Sequence, residues 1–152
     1  MIYIVDSYGA IYPEQMRELA DLFVEYGTKY GKKIGIHAHN NQQLAFANTI
    51  EAVARGVSML DATVSGLGRG AGNCAVEALI GFLKNPSYRL DPILYFIQTE
   101  IAKLREDGVV WGYDIPYLIT GMLNMHPRTA INFIKEEDTD YTFFFQELWG
   151  RD

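Results

Sequence analysis

Two histidines one residue apart stand in the run Ile34-Gly35-Ile36-His37-Ala38-His39-Asn40-Asn41. On a β-strand, side chains two apart share a face, so both imidazoles point one way while Ile34, Ile36 and Ala38 point the other. Such a pair can give two nitrogen donors to a divalent ion: imidazole suits Zn, Fe, Co, Ni or Mn, and oxygen partners favour the harder ions. It can equally be two histidines hydrogen-bonded to their neighbours. Two donors fall short of the roughly three protein ligands of a catalytic metal site, so the metal reading requires a carboxylate nearby. Asp6 and Asp61 stand near strand ends, each able to ligate or to orient an imidazole. Orienting an imidazole or a purely structural role is favoured for both, and a turn or cap is the plainer role for Asp6. Ser7, where the first strand opens into its loop, offers a hydroxyl to a substrate carboxylate or carbonyl.

Glycines punctuate Ser65-Gly66-Leu67-Gly68-Arg69-Gly70-Ala71-Gly72-Asn73. Gly66-x-Gly68-x-x-Ala71 formally satisfies a dinucleotide fingerprint, but the acidic residue expected about 20 positions on, at the end of a next strand, is missing. What remains is a loop whose backbone can approach an anion, with Asn73 as a neutral polar ligand or helix cap. Arg69 reads as a solvated loop arginine that could bind a carboxylate. Cys74 reads as buried packing. In the aromatic run Val109 to Tyr117, Tyr113 lies on a loop between helices and is a candidate acid. His126 before Pro127 reads as a surface turn. Phe143-Phe144-Phe145 with Leu148 and Trp149 reads as an interface or as core.

These residues need elements to hold them. Ile2 to Ser7, Lys33 to His39 and Val57 to Val64 read as strands. Helices are expected from Pro13, closed by Gly27 and Gly31, from Gln42 to Ala54 with Asn40 or Asn41 capping, and from Cys74 to Leu83. Strands alternating with helices call for a parallel sheet with helices packed outside it, and in such sheets the chemistry sits at the carboxyl ends of the strands. After Pro86 the pattern turns helical: Asp91 to Glu106, Pro116 to Leu123, Pro127 to Lys135 and Tyr141 to Trp149. The expected fold is α/β, with residues 1–85 as one part and 86–152 as a helical extension.

Composition narrows the class. The chain has 152 residues, 49% hydrophobic, with 19 acidic against 13 basic side chains and a formal charge of −6. That balance speaks against a nucleic-acid or anionic-membrane partner. One cysteine excludes an internal disulfide and suits a reducing cytoplasm. No stretch approaches the roughly 20 apolar residues of a membrane helix, and a full eight-stranded α/β barrel takes about 250 residues.

Three ordered motifs carry a resemblance: Val5-Asp6-Ser7-x-Gly9; His37-Ala38-His39-Asn40-Asn41 with Leu44-Ala45-x-Ala47-Asn48; and Asp61-Ala62-Thr63-x-Ser65 through Asn73. Together they resemble the DRE-TIM metallolyase superfamily of metal-dependent aldolases, lyases and acyl-condensing barrels, and within it the C-terminal half of the 4-hydroxy-2-oxovalerate aldolase family. The likeness is strong over about residues 1–85 and weaker through Trp111-Gly112-Tyr113. It implies a partial TIM barrel of about three C-terminal βα units followed by a helical extension. By that likeness His37 and His39 match the metal-binding histidines, and Asn73 matches an asparagine near the metal that is a ligand in some members. Ser7 matches a residue contacting the keto acid, and Tyr113 a tyrosine that transfers a proton.

The implied cofactor is a divalent metal, Mn²⁺ first, with Mg²⁺, Co²⁺ or Zn²⁺ allowed. The implied reaction is retro-aldol cleavage of a 4-hydroxy-2-keto acid to pyruvate and an aldehyde. The resemblance also implies a homo-oligomer and allows an aldehyde dehydrogenase partner. The family's Arg-Asp-Gly run, which supplies a third ligand and a catalytic Arg, and the catalytic His after it have no equivalent here. Arg105-Glu106-Asp107-Gly108 carries an extra residue in a helix-end setting, and Arg151-Asp152 merely ends the sequence. A missing N-terminal half-barrel, in cis or in trans, is therefore expected to complete the site. The alternatives are a Claisen-type acyltransferase of the same superfamily and a non-catalytic half-barrel fragment.

Overall fold

The structure is a computed structural model and describes residues 1–150. Strand β1 (Ile2–Asp6) pairs in parallel with β2 (Ile34–Ala38), Ile2 opposite Ile34 and Asp6 opposite Ala38, and β2 pairs in parallel with the two-residue β3 (Met59–Leu60). Among the described residues the sheet has three strands in the order β1-β2-β3 and is open at both edges. The third strand is much shorter than the expected Val57 to Val64. After Asp61, whose N–H still donates to the Ile36 carbonyl of β2, the chain pairs with the segment returning from the glycine loop, where Thr63 N–H donates to the Cys74 carbonyl and Val76 N–H to that of Thr63.

Helix α1 (Pro13–Tyr30) opens on Pro and ends where Gly31 takes a left-handed φ of 61°, the usual glycine C-terminal cap. Gly27 does not end it. It is buried inside the helix, where a Cβ would lie 2.7 Å from Ile34 Cγ1, so its role is to let β2 approach. Helix α2 (Ala45–Ala54) starts later than the expected Gln42 because Gln43 is left-handed. Asn40 still caps it, its Oδ1 accepting from Ala45 N–H at 3.1 Å. Helix α3 spans Val76–Leu83. These helices bury Met16, Ala20, Ala52 and Leu79 against Ile4 and Ile36 of the sheet. Full burial of Met16 and Ile36 contributes about 1.5–3 kcal/mol each.

Two ion pairs tie α1 to α2 in opposite senses: Arg17 Nε to Glu51 at 2.7 Å, and Arg55 through two nitrogens to Asp21 at 2.6 and 2.8 Å. The Arg55 hydrogen bonds hold the Asp21 carboxyl below its usual value, and the Arg17 hydrogen bond does the same for Glu51. A depressed carboxylate contributes stability that is present above its unfolded pKa and is lost as pH falls through the folded value. The urea midpoint is therefore expected to fall between pH 5 and pH 3, and to fall less in an Arg17→Met/Arg55→Met double variant. Identical pH profiles for the two proteins would remove these pairs from the acid response.

The rest is helical. Helices α4 (Asp91–Phe96) and α5 (Ala102–Glu106) run together through one π turn, Ile97–Ile101. Helices α6 (Ile115–Met122), α7 (Arg128–Lys135) and α8 (Tyr141–Trp149) share a second apolar cluster of Ile119, Phe133, Phe144 and Leu148. The Phe143-Phe144-Phe145 run thus divides: Phe144 is core, while Phe143 and Trp149 are exposed. His126 lies in an exposed turn, its Nδ1 accepting from Arg128 N–H. No described helix is long and apolar enough to cross a membrane. Arg151 and Asp152 lie outside the described residues.

Candidate metal centre

The register assigns the two sheet faces. Ile34, Ile36 and Ala38 are buried against the helices, and His37, alternating with them, is only half-buried. His37 and His39 stand edge to face with ring centroids 5.1 Å apart. Burial first, then the nearby His37 and Arg69, push the His39 pKa below its usual value, while Asp6 and the Gly72 carbonyl oppose the shift. At neutral pH His39 is thus the uncharged imidazole that a metal requires.

The glycine loop brings in Asn73. His39 and Asn73 form an antiparallel bridge, and Asn40 N–H donates to the Gly72 carbonyl at 2.9 Å. Asn73 Nδ2 donates to the Leu67 carbonyl at 3.1 Å, which fixes the amide, while its buried Oδ1 has no hydrogen-bond partner. Gly68 packs on that amide so closely that a Cβ there would collide with Nδ2. A buried acceptor without a donor costs about 1–3 kcal/mol, and an oxygen held in this way suits a cation.

A cavity of about 280 Å³ is lined by His37, Leu60, Asp61, Ala62, Thr63 and Asn73. Among the described residues no group of three His, Cys, Asp or Glu converges as a metal site. His37 and Asn73 line one cavity and His39 stands beside His37, donors of the kind a divalent ion takes, and a full donor set would still need a carboxylate.

The two aspartates have separate tasks. Asp6 is buried and accepts from Ala10 N–H at 3.0 Å and Ile11 N–H at 3.2 Å, which shapes the turn after β1. Asp61 lies 3.2 Å from His37 Nδ1. Ser7 is exposed just past the carboxyl end of β1. Tyr113 is 61% exposed. Its neighbour Gly112 lines a second cavity of about 210 Å³ together with Asn73, Arg105 and Trp111, but Tyr113 itself is not in that lining. Cys74 is buried, and desolvation pushes its thiol pKa up.

Two residues to which the sequence assigns no role of their own prove important. Trp111 is buried, donates from Nε1 to the Ser65 carbonyl at 2.9 Å and carries the Arg105 guanidinium 4.1 Å above its ring, so the helical half clamps the glycine loop. Tyr3 on β1 lies over Gly35 of β2, where a Cβ would come within 2.5 Å of its ring. Neither contact follows a periodicity, so only the tertiary structure reveals them.

Fold and site together define an α/β protein that gathers two strand histidines and a loop asparagine beyond the carboxyl end of a parallel sheet. The chain belongs to the HMGL-like family, whose model matches residues 1–103. It is 41% identical over 104 residues to a 4-hydroxy-2-oxovalerate aldolase of Pelotomaculum thermopropionicum, an alignment covering 68% of this chain and 30% of that protein. It is 39% identical over 84 residues to an oxaloacetate decarboxylase of Mycobacterium tuberculosis, covering 55% of this chain and 25% of that protein. Among solved structures it is similar to the N-terminal domain of a Bacteroides vulgatus protein assigned as an aldolase, with 30% identity and a TM-score of 0.73, covering 88% of this chain and 44% of that one. The chain thus spans about 30% of the length of the first of these curated relatives.

Proposed function

We propose that the chain forms the C-terminal strands of a TIM-barrel lyase, with residues 1–85 in the barrel and 86–152 as its helical extension, and that it contributes part of a divalent-metal centre. The reaction in this reading is retro-aldol cleavage of a 4-hydroxy-2-keto acid to pyruvate and an aldehyde. The observation that carries it is the pair of imidazoles 5.1 Å apart beside the unpartnered, buried Asn73 Oδ1. The open sheet edges and the third of the relatives' length that the chain spans support the partial barrel.

His37, His39 and Asn73 would hold the metal, Mn²⁺ first. The chemistry supplied by a bound divalent ion is stabilisation of negative charge at the substrate's 2-carbonyl oxygen. Ser7 binds the keto acid at the end of β1. A base takes the 4-hydroxyl proton, the C3–C4 bond breaks, and its electron pair leaves the pyruvate part as an enolate. Tyr113 transfers a proton at the substrate. The base and the third metal ligand come from an N-terminal half-barrel, in cis or in trans. Homo-oligomerisation and delivery of the aldehyde to a dehydrogenase belong to the same reading. The oxaloacetate decarboxylase relative is consistent with this chemistry, because loss of CO₂ from oxaloacetate also leaves a pyruvate enolate.

The test is to assay pyruvate release from 4-hydroxy-2-oxovalerate and from oxaloacetate, with Mn²⁺, by the chain alone and by the chain co-expressed with the N-terminal part of a related aldolase. Release from the hydroxy-keto acid by the complemented protein only is the expected result. A complemented protein that holds metal yet releases no pyruvate from that substrate overturns the aldolase reading. Release from oxaloacetate alone replaces it by a decarboxylase.

A further inference from the structure

Tyr3 of β1, Gly35 of β2 and Asp61 just past β3 lie on the sheet face that carries the His37 imidazole. Tyr3 and Gly35 are register partners on β1 and β2, and Gly35 in turn pairs with Met59 on β3. Tyr3, Gly35, His37 and Asp61 therefore all project on the face away from the helices. With no side chain at Gly35, the Tyr3 ring lies flat across the middle strand. Any Cβ there would sit 2.5 Å from the ring, a contact that real packing excludes. Asp61, just past the end of β3, places Oδ2 3.2 Å from His37 Nδ1.

We infer that Tyr3 and Asp61 form a positioning relay across the sheet, in which Asp61 holds the proton of His37 on Nδ1 and leaves Nε2 as the free donor atom on the open face. Asp61 accepts from His37 N–H with one oxygen, and in the relay the Tyr3 hydroxyl, which interacts with the same carboxylate from across the sheet, is its second side-chain donor. Desolvation and that carboxylate together raise the Tyr3 pKa, so the phenol stays protonated and continues to donate. A carboxylate half-exposed at the sheet rim can turn away into water. A second hydrogen bond from a ring packed on backbone removes that freedom, and this is the use the fold makes of Gly35. The tautomer matters because a free neutral imidazole carries its proton mainly on the other nitrogen, whose lone pair the metal reading needs.

The relay gives the proposed metal centre its orienting shell and so builds on that reading, but it can be tested without metal. In ¹⁵N-labelled protein at pH 8, long-range proton–nitrogen spectra distinguish the two neutral tautomers, with the His37 ring assigned by its loss in His37→Ala. The expected result is an Nδ1–H tautomer for His37, reverting to Nε2–H in Asp61→Ala and shifting part of the way in Tyr3→Phe. An Nε2–H tautomer in the unmodified protein, or no change in Asp61→Ala, overturns the relay. A tautomer unmoved by Tyr3→Phe removes Tyr3 from it. In the complemented protein Asp61→Ala should then weaken Mn²⁺ affinity by about 10–100-fold. If no metal binds while the tautomer pattern holds, the metal reading fails and the relay stands.

Discussion

Replacement of either His37 or His39 by Ala is expected to cost the assembled protein its divalent metal, with affinity falling by more than the ~10²-fold typical of losing an orienting group around a ligand. Both rings are half-buried on a face that carries no packed helix, so their removal opens little core. The expected stability change is small, about 0.5 kcal/mol or less for His37. Metal content after dialysis, measured beside the urea midpoint, separates the two effects. Folded protein without metal supports the assignment. Unchanged metal content in either variant shows that the histidines are ordinary hydrogen-bonded residues.

The second large effect belongs to the glycine loop. Gly72 has a φ of 82°, and a Cβ there would run into the Gly66 carbonyl. That carbonyl already accepts from Asn73 N–H at 3.0 Å, so it cannot retreat without moving the asparagine. Gly72→Ala combines a left-handed backbone cost of roughly 1–2 kcal/mol with overpacking of about 1–3 kcal/mol. The expected loss is therefore about 3 kcal/mol, read from the urea midpoint at constant slope. Metal affinity should fall with it, because Asn73 Oδ1 is held by the same turn. A variant that loses less than about 1 kcal/mol would show that the loop relaxes freely and that Asn73 is not fixed by it.

Much of this site was legible in the residues. The spacing of His37 and His39 needs only the two-residue period of a strand, and the glycines around Asn73 announce a backbone that side chains would block. The strand of His37 came within a residue of its observed ends because its apolar face is dense in β-branched residues. Strand β3 was not legible, since Val57 to Val64 has strand composition throughout and only its competition between β2 and the glycine loop ends it at Leu60. Gly27 misled for a related reason: a glycine in sequence reads as a stop, whereas here it is a recess for Ile34.

Asp6 and Asp61 show where the boundary falls. Both stand near strand ends and are chemically identical, yet one is closed into a turn and the other faces His37. The sequence by itself determined the residues that share a face, the loop that must stay small and the family to which the chain belongs, because all three follow from local geometry and ordered motifs. The tertiary structure decided which carboxylate meets the imidazole, why Tyr3 needs Gly35 and which Asn73 atom is left free. Those depend on register between strands and on the path of a returning loop, distances that no periodicity along the chain encodes.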